Sequence, residues 1–257
     1  MKDKIFEEYG IKINCFIYKN NLIFFNYSDE KYMIEKTDLN EYELNELSKI
    51  IAHADYYSVF FHKIIPNKHG YIFEFGGKKY VILKIRIKNN RLISIDDILK
   101  VSNIEVNVNY FIGLSENSIE LFGVANSQSK RFINHKRVSI KETTIDFYNP
   151  LNIVIDFKTR DLAEYAKSLF INGENRLFHF LNYLNFDDYV TYFARLLYPS
   201  FYFDHIDSYI NGEIKVDEKK IRQIANSYEQ NLKKLYMHIN ARVKISNIEW
   251  LSDINNL

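Results

Sequence analysis

Between Arg131 and Asp161 the sequence reads RFINHKRVSIKETTIDFYNPLNIVIDFKTRD, and here side-chain types and spacing come nearest to a reactive site. Two apolar runs, one ending at His135 and one at Asp156-Phe157, bracket a short loop and hairpin. This layout suits phosphoryl transfer: a loop carboxylate takes the acceptor's proton, and a second strand delivers an Asp to a metal ion bridging the phosphates. Ile155-Asp156-Phe157 fits the metal-binding position, so Asp156 is the candidate residual metal ligand. The base position does not fit. With His135 as the first residue of an H-G-D turn, Lys136 stands at the glycine and Arg137 at the aspartate. Five residues beyond Arg137, where a metal-binding Asn would stand, is Glu142. An Arg accepts no proton at any relevant pH, so no catalytic residue is expected in this degenerate loop.

A guanidinium at this place suits another task, the holding of a phosphate or carboxylate. Lys130, Arg131, Lys136, Arg137 and Lys141 fall within twelve residues that contain no acid. Two readings follow: a solvated loop whose charges pair with flanking carboxylates, or a site for an anion or an acidic partner. Asp156 is likewise open to two readings. It retains a metal, or it accepts bonds from Arg160 and loop N–H groups at a strand end.

Other chemistry is disfavoured. The chain has 8 glycines, where about 7% usage would give roughly 18. None stands in G-x-G-x-x-G or G-x-x-x-x-G-K spacing, which counts against Rossmann and Walker-type nucleotide cradles. The seven histidines make no H-E-x-x-H pair, so no transition-metal site is expected. No G-x-S-x-G elbow occurs. The single cysteine, Cys15, excludes an internal disulfide and falls in a predicted strand, where a buried inert thiol is expected. A net charge of +1 gives no global field for nucleic acid. No secretory signal is visible at the start, and Val190 to Phe203 is too short to span a membrane.

The elements that must position these residues change character along the chain. Lys12 to Tyr18, Leu22 to Tyr27 and Lys31 to Lys36 read as strands, the first two joined by a turn at Asn20 and its neighbour. Leu39, Tyr42, Leu47, Ile50 and Ile51 then follow a helical period, with Asp38 and Glu41 spaced as a capping box. Strands return at Tyr57 to His62, Tyr71 to Phe75 and Lys79 to Ile87, the last two joined by Gly76-Gly77. Residues 89–110 read as a linker holding a short helix at Asp96 to Lys100. Beyond it, Leu114 to Phe122, Arg160 to Phe170, Arg176 to Leu184, Asp187 to Tyr198 and Phe201 to Ile210 read as helices, and Leu151 to Phe157 as a strand. The clearest helix begins at Asp217, where Ile221, Ile224, Tyr228, Leu232, Leu235 and Ile239 form one stripe. The pattern is α+β: a β-rich lobe over 1–88, the linker, and a mainly helical lobe over 111–257 carrying the degenerate loop region 131–161.

The chain resembles the spore-coat proteins of the CotS/YutH type, relatives in fold of aminoglycoside phosphotransferase and choline kinase. Carrying segments are Glu8-Tyr9-Gly10-Ile11, the run from Ile112 to Ile119 (IGLSENSI), Asn134-His135-Lys136-Arg137 and Ile155-Asp156-Phe157-Lys158-Thr159-Arg160-Asp161-Leu162-Ala163-Glu164-Tyr165. The run from Ala194 to Phe203 (ARLLYPSFYF) and the closing Ile248-Glu249-Trp250-Leu251 follow in order. Members of the type look longer between the lobes, and the YutH branch shares the His-x-Arg erosion. The resemblance implies a protein-kinase-like two-lobed fold with a small antiparallel sheet and a helical second lobe. It also implies a role in the coat of bacterial endospores, without implying phosphoryl transfer.

In that fold the Asp opening the helix after the metal strand braces the loop, a role implied for Asp161, with Arg160 beside it. Arg195, set in an apolar helix, calls for a buried acidic or carbonyl partner and reads as a brace too. Lys36, ending the third strand, is the candidate vestigial phosphate-contacting Lys. The expectation is therefore a pseudokinase acting by binding spore-coat or other sporulation proteins. It is cytoplasmic or coat-associated, without cofactor and without nucleic acid. The alternative is an active small-molecule phosphotransferase using ATP and Mg²⁺ on Asp156, with Glu142 or Asp146 serving the acceptor. Neither the partner nor the oligomeric state is legible.

Overall fold

Ser28 and Asp29 both take left-handed backbone (φ 49° and 63°), which folds the chain back in a tight hairpin. The hairpin joins β2 (Leu22–Tyr27) to β3 (Glu30–Lys36). In the computed structural model, residues 1–19, 22–106, 130–198 and 218–243 are described. They form an α+β architecture, with an antiparallel sheet in the N-terminal part and helices dominating the C-terminal part. Two compact units divide the chain: Met1–Ile93 with Glu142–Ile153, and Ser94–Lys141 with Val154–Leu257.

In the first unit, α1 (Lys2–Tyr9), closed by Gly10 at φ 70°, precedes β1 (Ile17–Lys19). After β3 come α2 (Glu41–Tyr56), β4 (Lys63–Ile65), β5 (Phe73–Phe75) and β6 (Lys78–Lys84). The sheet runs β1-β2-β3-β6-β4, and β5 pairs with the stretch of β6 that β4 leaves open. Gly76 and Gly77, at φ 59° and 70°, make the expected β5–β6 turn. Ile5, Ile11, Ile13, Phe25, Phe73 and Ile82 build a core under the sheet, each large side chain contributing about 1.5–3 kcal/mol.

Several local expectations are corrected. The capping box lies two residues later than Asp38–Glu41. Asn40 Oδ1 accepts the Glu43 N–H at 3.0 Å, and Glu43 Oε2 accepts the Asn40 N–H at 2.7 Å. Glu41 is thereby released to accept the N–H groups of Tyr71 and Ile72, each at 2.8 Å. Tyr57 to His62 is no strand: Ser58 turns the chain at φ 59°, and His62 donates its N–H to the Tyr148 carbonyl at 2.8 Å. Cys15 precedes β1 and is exposed rather than buried, because the first strand starts only at Ile17.

In the second unit, α3 (Ile95–Ser102) packs on β8 (Arg131–His135) and on α5 (Arg160–Ile171). β7 (Glu105–Val106), β8 and β9 (Ile153–Asp156) form a three-stranded sheet. The short helix α4 (Thr144–Phe147) and a 3₁₀ turn at Pro150–Asn152, which come before β9, belong to the first unit. The expected helix at Arg176 to Leu184 is a 3₁₀ turn over His179–Tyr183, followed by α6 (Phe186–Leu197) and α7 (Glu218–Asn240). Tyr228, Leu232, Leu235 and Ile239 of the predicted stripe are buried. The expected turn at Asn20 and the helices at 114–122 and 201–210 lie outside the described residues. Among the described residues, no helix is long and apolar enough to cross a membrane.

Candidate functional site

Strand β8 carries Asn134 and His135 to its end, and the neighbouring strand β9 carries Asp156 to its own. Four residues after Asp156 the helix α5 begins, so Arg160 and Asp161 occupy its first turn. Asp161 is fully buried, and its carboxylate is spent on the loop root. Oδ1 accepts the His135 N–H at 2.8 Å, and Oδ2 lies 2.6 Å from His135 Nδ1. Its position near the N-terminus of α5 favours the negative charge further. Asn134, equally buried, donates its amide to the carbonyls of Phe132 (3.0 Å) and Asp156 (3.3 Å) and accepts the Asp161 N–H. The two strand ends and the helix start are thus joined by side chains as well as by the sheet.

Arg160 completes the joint from the other side. Its Nη1 donates to Asp156 Oδ2 at 2.6 Å, its Nε to the His135 carbonyl at 3.0 Å and its Nη2 to the Lys136 carbonyl at 3.4 Å. The second Asp156 oxygen accepts the Phe157 N–H at 2.7 Å. Both oxygens of the candidate metal ligand are therefore engaged, one by a permanent cation. Among the described residues, no group of three or more His, Cys, Asp or Glu side chains is placed to hold a metal ion.

The five cations named from the sequence differ in their surroundings. Arg131 stacks its guanidinium on the Phe157 ring at 4.1 Å, and Lys130 and Arg131 each have further interactions. Lys136, Arg137 and Lys141 are exposed and make no ion pair among the described residues. Buried Val138 anchors the loop between them, and Ser168 Oγ accepts the Ile140 N–H at 3.1 Å. In the first unit, Lys36 is exposed with its ammonium 3.7 Å from Asp38, while Glu35 accepts the Asn149 amide at 2.5 Å. Asp146 accepts the Thr143 hydroxyl at 2.6 Å, and the Glu142 carbonyl accepts the Ile93 N–H.

Arg195 meets Glu164, Nε to Oε1 at 3.0 Å. The same carboxylate oxygen takes the ammonium of Lys167 at 2.8 Å, and that ammonium also donates to the carbonyls of Arg195 and Tyr198. Burial holds the Lys167 ammonium below the ordinary lysine range, against the pull of Glu164. Sequence reasoning missed Lys167 and Asn134 as organising residues; each sits inside a segment quoted for other reasons. His62 was missed too. Its Nε2 lies 2.9 Å from the Ile145 carbonyl and its Nδ1 accepts the Arg86 N–H, so α4 is tied within the first unit. Desolvation lowers its pKa from 6.5 to about 4.

With this geometry in hand, comparison with known proteins places the chain. Residues 106–241, just over half of its length, match the family model described as spore coat putative kinase YutH. No curated protein matches the chain in sequence. An aminoglycoside phosphotransferase from Alicyclobacillus acidocaldarius subsp. acidocaldarius DSM 446 has a similar structure, with a TM-score of 0.60 at 10% identity. That match covers 91% of this chain and 95% of that one. The AMP-bound spectinomycin phosphotransferase APH(9)-Ia aligns over 94% of this chain and 89% of its own, at 12% identity and a TM-score of 0.40. The fold is that of the phosphotransferases, a kinase-like α+β fold.

Proposed function

This chain belongs to the spore coat YutH family, and on that premise we propose that it is a kinase-shaped binding protein of the endospore coat or of sporulation that transfers no phosphoryl group. One observation carries the reading. Arg160 closes the carboxylate of Asp156 at 2.6 Å while also holding the carbonyls of His135 and Lys136. A divalent ion on Asp156 would have to displace a tethered cation that three oxygens already retain.

The loop supports the same reading. Arg137 stands where a base carboxylate is needed and is chemically unable to serve. The residues present therefore do not fit a Mg²⁺–ATP site. The bracing of His135 by Asp161 and of Asp156 by Arg160 keeps the loop in shape without catalysis, as a binding role requires. The partners in this reading are coat or other sporulation proteins, and the protein resides in the cytoplasm or on the coat.

The test is thermal unfolding with ATP and Mg²⁺, alone and together, on the wild type and on Asp156→Ala. We expect no metal-dependent rise in Tm in either. A rise in the wild type that disappears in Asp156→Ala would overturn the reading in favour of an active phosphotransferase with Asp156 on the metal.

A further inference from the structure

A short chain segment that carries exposed charge and is fastened at both ends is built to present that charge. The segment from His135 to Lys141 is fastened in this way. At its start, Asp161 takes the His135 N–H and Arg160 takes the carbonyls of His135 and Lys136. In its middle Val138 is buried, and at its end Ser168 Oγ takes the Ile140 N–H. Between and beside these fixings, Lys136, Arg137 and Lys141 point exposed charge outward with no ion-pair partner among the described residues. Holding the loop in place beforehand removes part of the ordering cost that a ligand would otherwise meet.

We infer that this loop is the docking surface for a carboxylate-rich polypeptide segment. The inference rests on the non-catalytic reading of the loop and adds the chemistry of its partner. Three features select that chemistry. The guanidinium of Arg137 offers a planar fork matched to a carboxylate, flanked by ammonium point charges. The N–H groups of His135, Ile140 and Lys141 are already given to Asp161, Ser168 and Ser139, so at these positions an anion meets side-chain charge rather than backbone donors. Nucleic acid is disfavoured because a chain of net charge +1 with three loop cations falls short of the roughly six to ten phosphate contacts that make such binding strong.

The decisive experiment titrates the full chain into a fluorescein-labelled oligo-glutamate peptide, read by anisotropy over a series of salt concentrations. The triple variant Lys136→Ser, Arg137→Ser, Lys141→Ser should bind about tenfold more weakly, with a flatter salt dependence. A charge-matched control on the exposed Lys63, Lys78 and Lys79, each changed to Ser, should keep wild-type affinity within about twofold. Arg137→Glu alone should weaken binding further than Arg137→Ser, which keeps the question answerable if the triple variant does not fold. Absent binding by the wild type, equal loss in the control, unchanged affinity in the loop variants, or tighter binding of oligo-dT would each overturn the inference. The same wild-type sample, heated with ATP and Mg²⁺, separates the two ideas. Loss of peptide binding without a Tm rise removes only the partner, whereas a metal-dependent rise removes the non-catalytic reading itself.

Discussion

Asp161 holds His135 at two points, main chain and ring, at 2.8 and 2.6 Å, and both residues are almost wholly removed from water. The pair sets the direction in which the chain leaves β8, because the peptide N–H and the imidazole of one residue are fixed to a single carboxylate. Arg160, the residue before Asp161, holds the carbonyl of the same residue, His135, and so fixes the next peptide unit. Neighbouring residues at one helix start thus grip the loop root from its donor and acceptor sides. The function proposed for the loop depends on that grip and on no group that must gain or lose a proton.

Removing the carboxylate should therefore be expensive. Asp161→Ala leaves a buried N–H and a buried imidazole without their acceptor and should cost about 3 kcal/mol. Asp161→Asn, which keeps one acceptor oxygen, should cost less. Urea unfolding midpoints of the two variants give the comparison. A loss below about 0.5 kcal/mol in the alanine variant, the size of an ordinary surface change, would show that the grip contributes nothing to the fold.

The bond between Arg160 and Asp156 calls for a double-mutant cycle. Each side chain is only partly exposed, and the contact is a charge-assisted bond of 2.6 Å. Arg160→Ala, Asp156→Ala and the double variant should yield a coupling of about 1 kcal/mol in unfolding free energy. Additive losses would mean that the guanidinium is held by the His135 and Lys136 carbonyls alone, and the closure of Asp156 would lose its energetic basis.

Much of this joint was legible in the sequence, for identifiable reasons. Arg160 was marked because Asp156, at a strand end four residues earlier, needs a partner, whereas the bracing role of Asp161 was legible only through the resemblance, which implies it for the Asp that opens the helix after that strand. Gly76-Gly77 and the stripe on α7 were legible because φ and helical period are local properties. Competition between equally good local signals misled at α2. Residues 38–41 and 40–43 both fit a capping box, and a tertiary contact chose between them, since Glu41 was taken by the backbone of Tyr71 and Ile72. Lys167 was illegible because its burial depends on Glu164 and on carbonyls at the far end of α6, about thirty residues away in sequence.

His62 makes stability depend on pH in a definite direction. Its pKa falls from 6.5 to about 4 on folding because burial disfavours the cation. The unfolded chain therefore binds more protons between these values, and stability is lost as pH falls from about 6.5 to about 4. The full difference is roughly 3 kcal/mol for a shift of this size. His62→Gln should flatten the profile in that window when unfolding free energy is measured from pH 7 to pH 4. An unchanged slope in the variant would assign the acid sensitivity to other groups.

Gly70 faces Glu41 so closely that a Cβ built on it would collide with the Glu41 carboxylate. That carboxylate is not a free end, since it accepts the N–H groups of Tyr71 and Ile72. Gly70→Ala should therefore destabilise by about 1–3 kcal/mol through overpacking and displacement of those bonds. In a Glu41→Ala background the same change should cost less, the remainder being the strain of a side chain at φ 158°. Thermal unfolding of the four proteins tests this, and equal costs in both backgrounds would exclude the contact as the cause.

Glu164 is the point at which two of the runs that carry the resemblance, RDLAEY and ARLLYP, meet. One oxygen serves both Lys167 and Arg195, and Lys167 spans on to the carbonyls of Arg195 and Tyr198 at the end of α6. A triad with Lys167 buried and Glu164 and Arg195 partly buried is poor in net stabilisation, because desolvation offsets much of the attraction, yet it is costly to break from one side. Glu164→Ala leaves the buried ammonium of Lys167 and the partly buried guanidinium of Arg195 without their shared carboxylate and should cost about 3 kcal/mol. Replacing Glu164, Lys167 and Arg195 together by Leu, Met and Met should cost far less or be neutral, since no charge then remains unmatched. Far-ultraviolet circular dichroism during urea unfolding reads both. If the triple replacement is as damaging as Glu164→Ala, the triad acts by fixing the end of α6 through the Arg195 and Tyr198 carbonyls rather than by balancing charge.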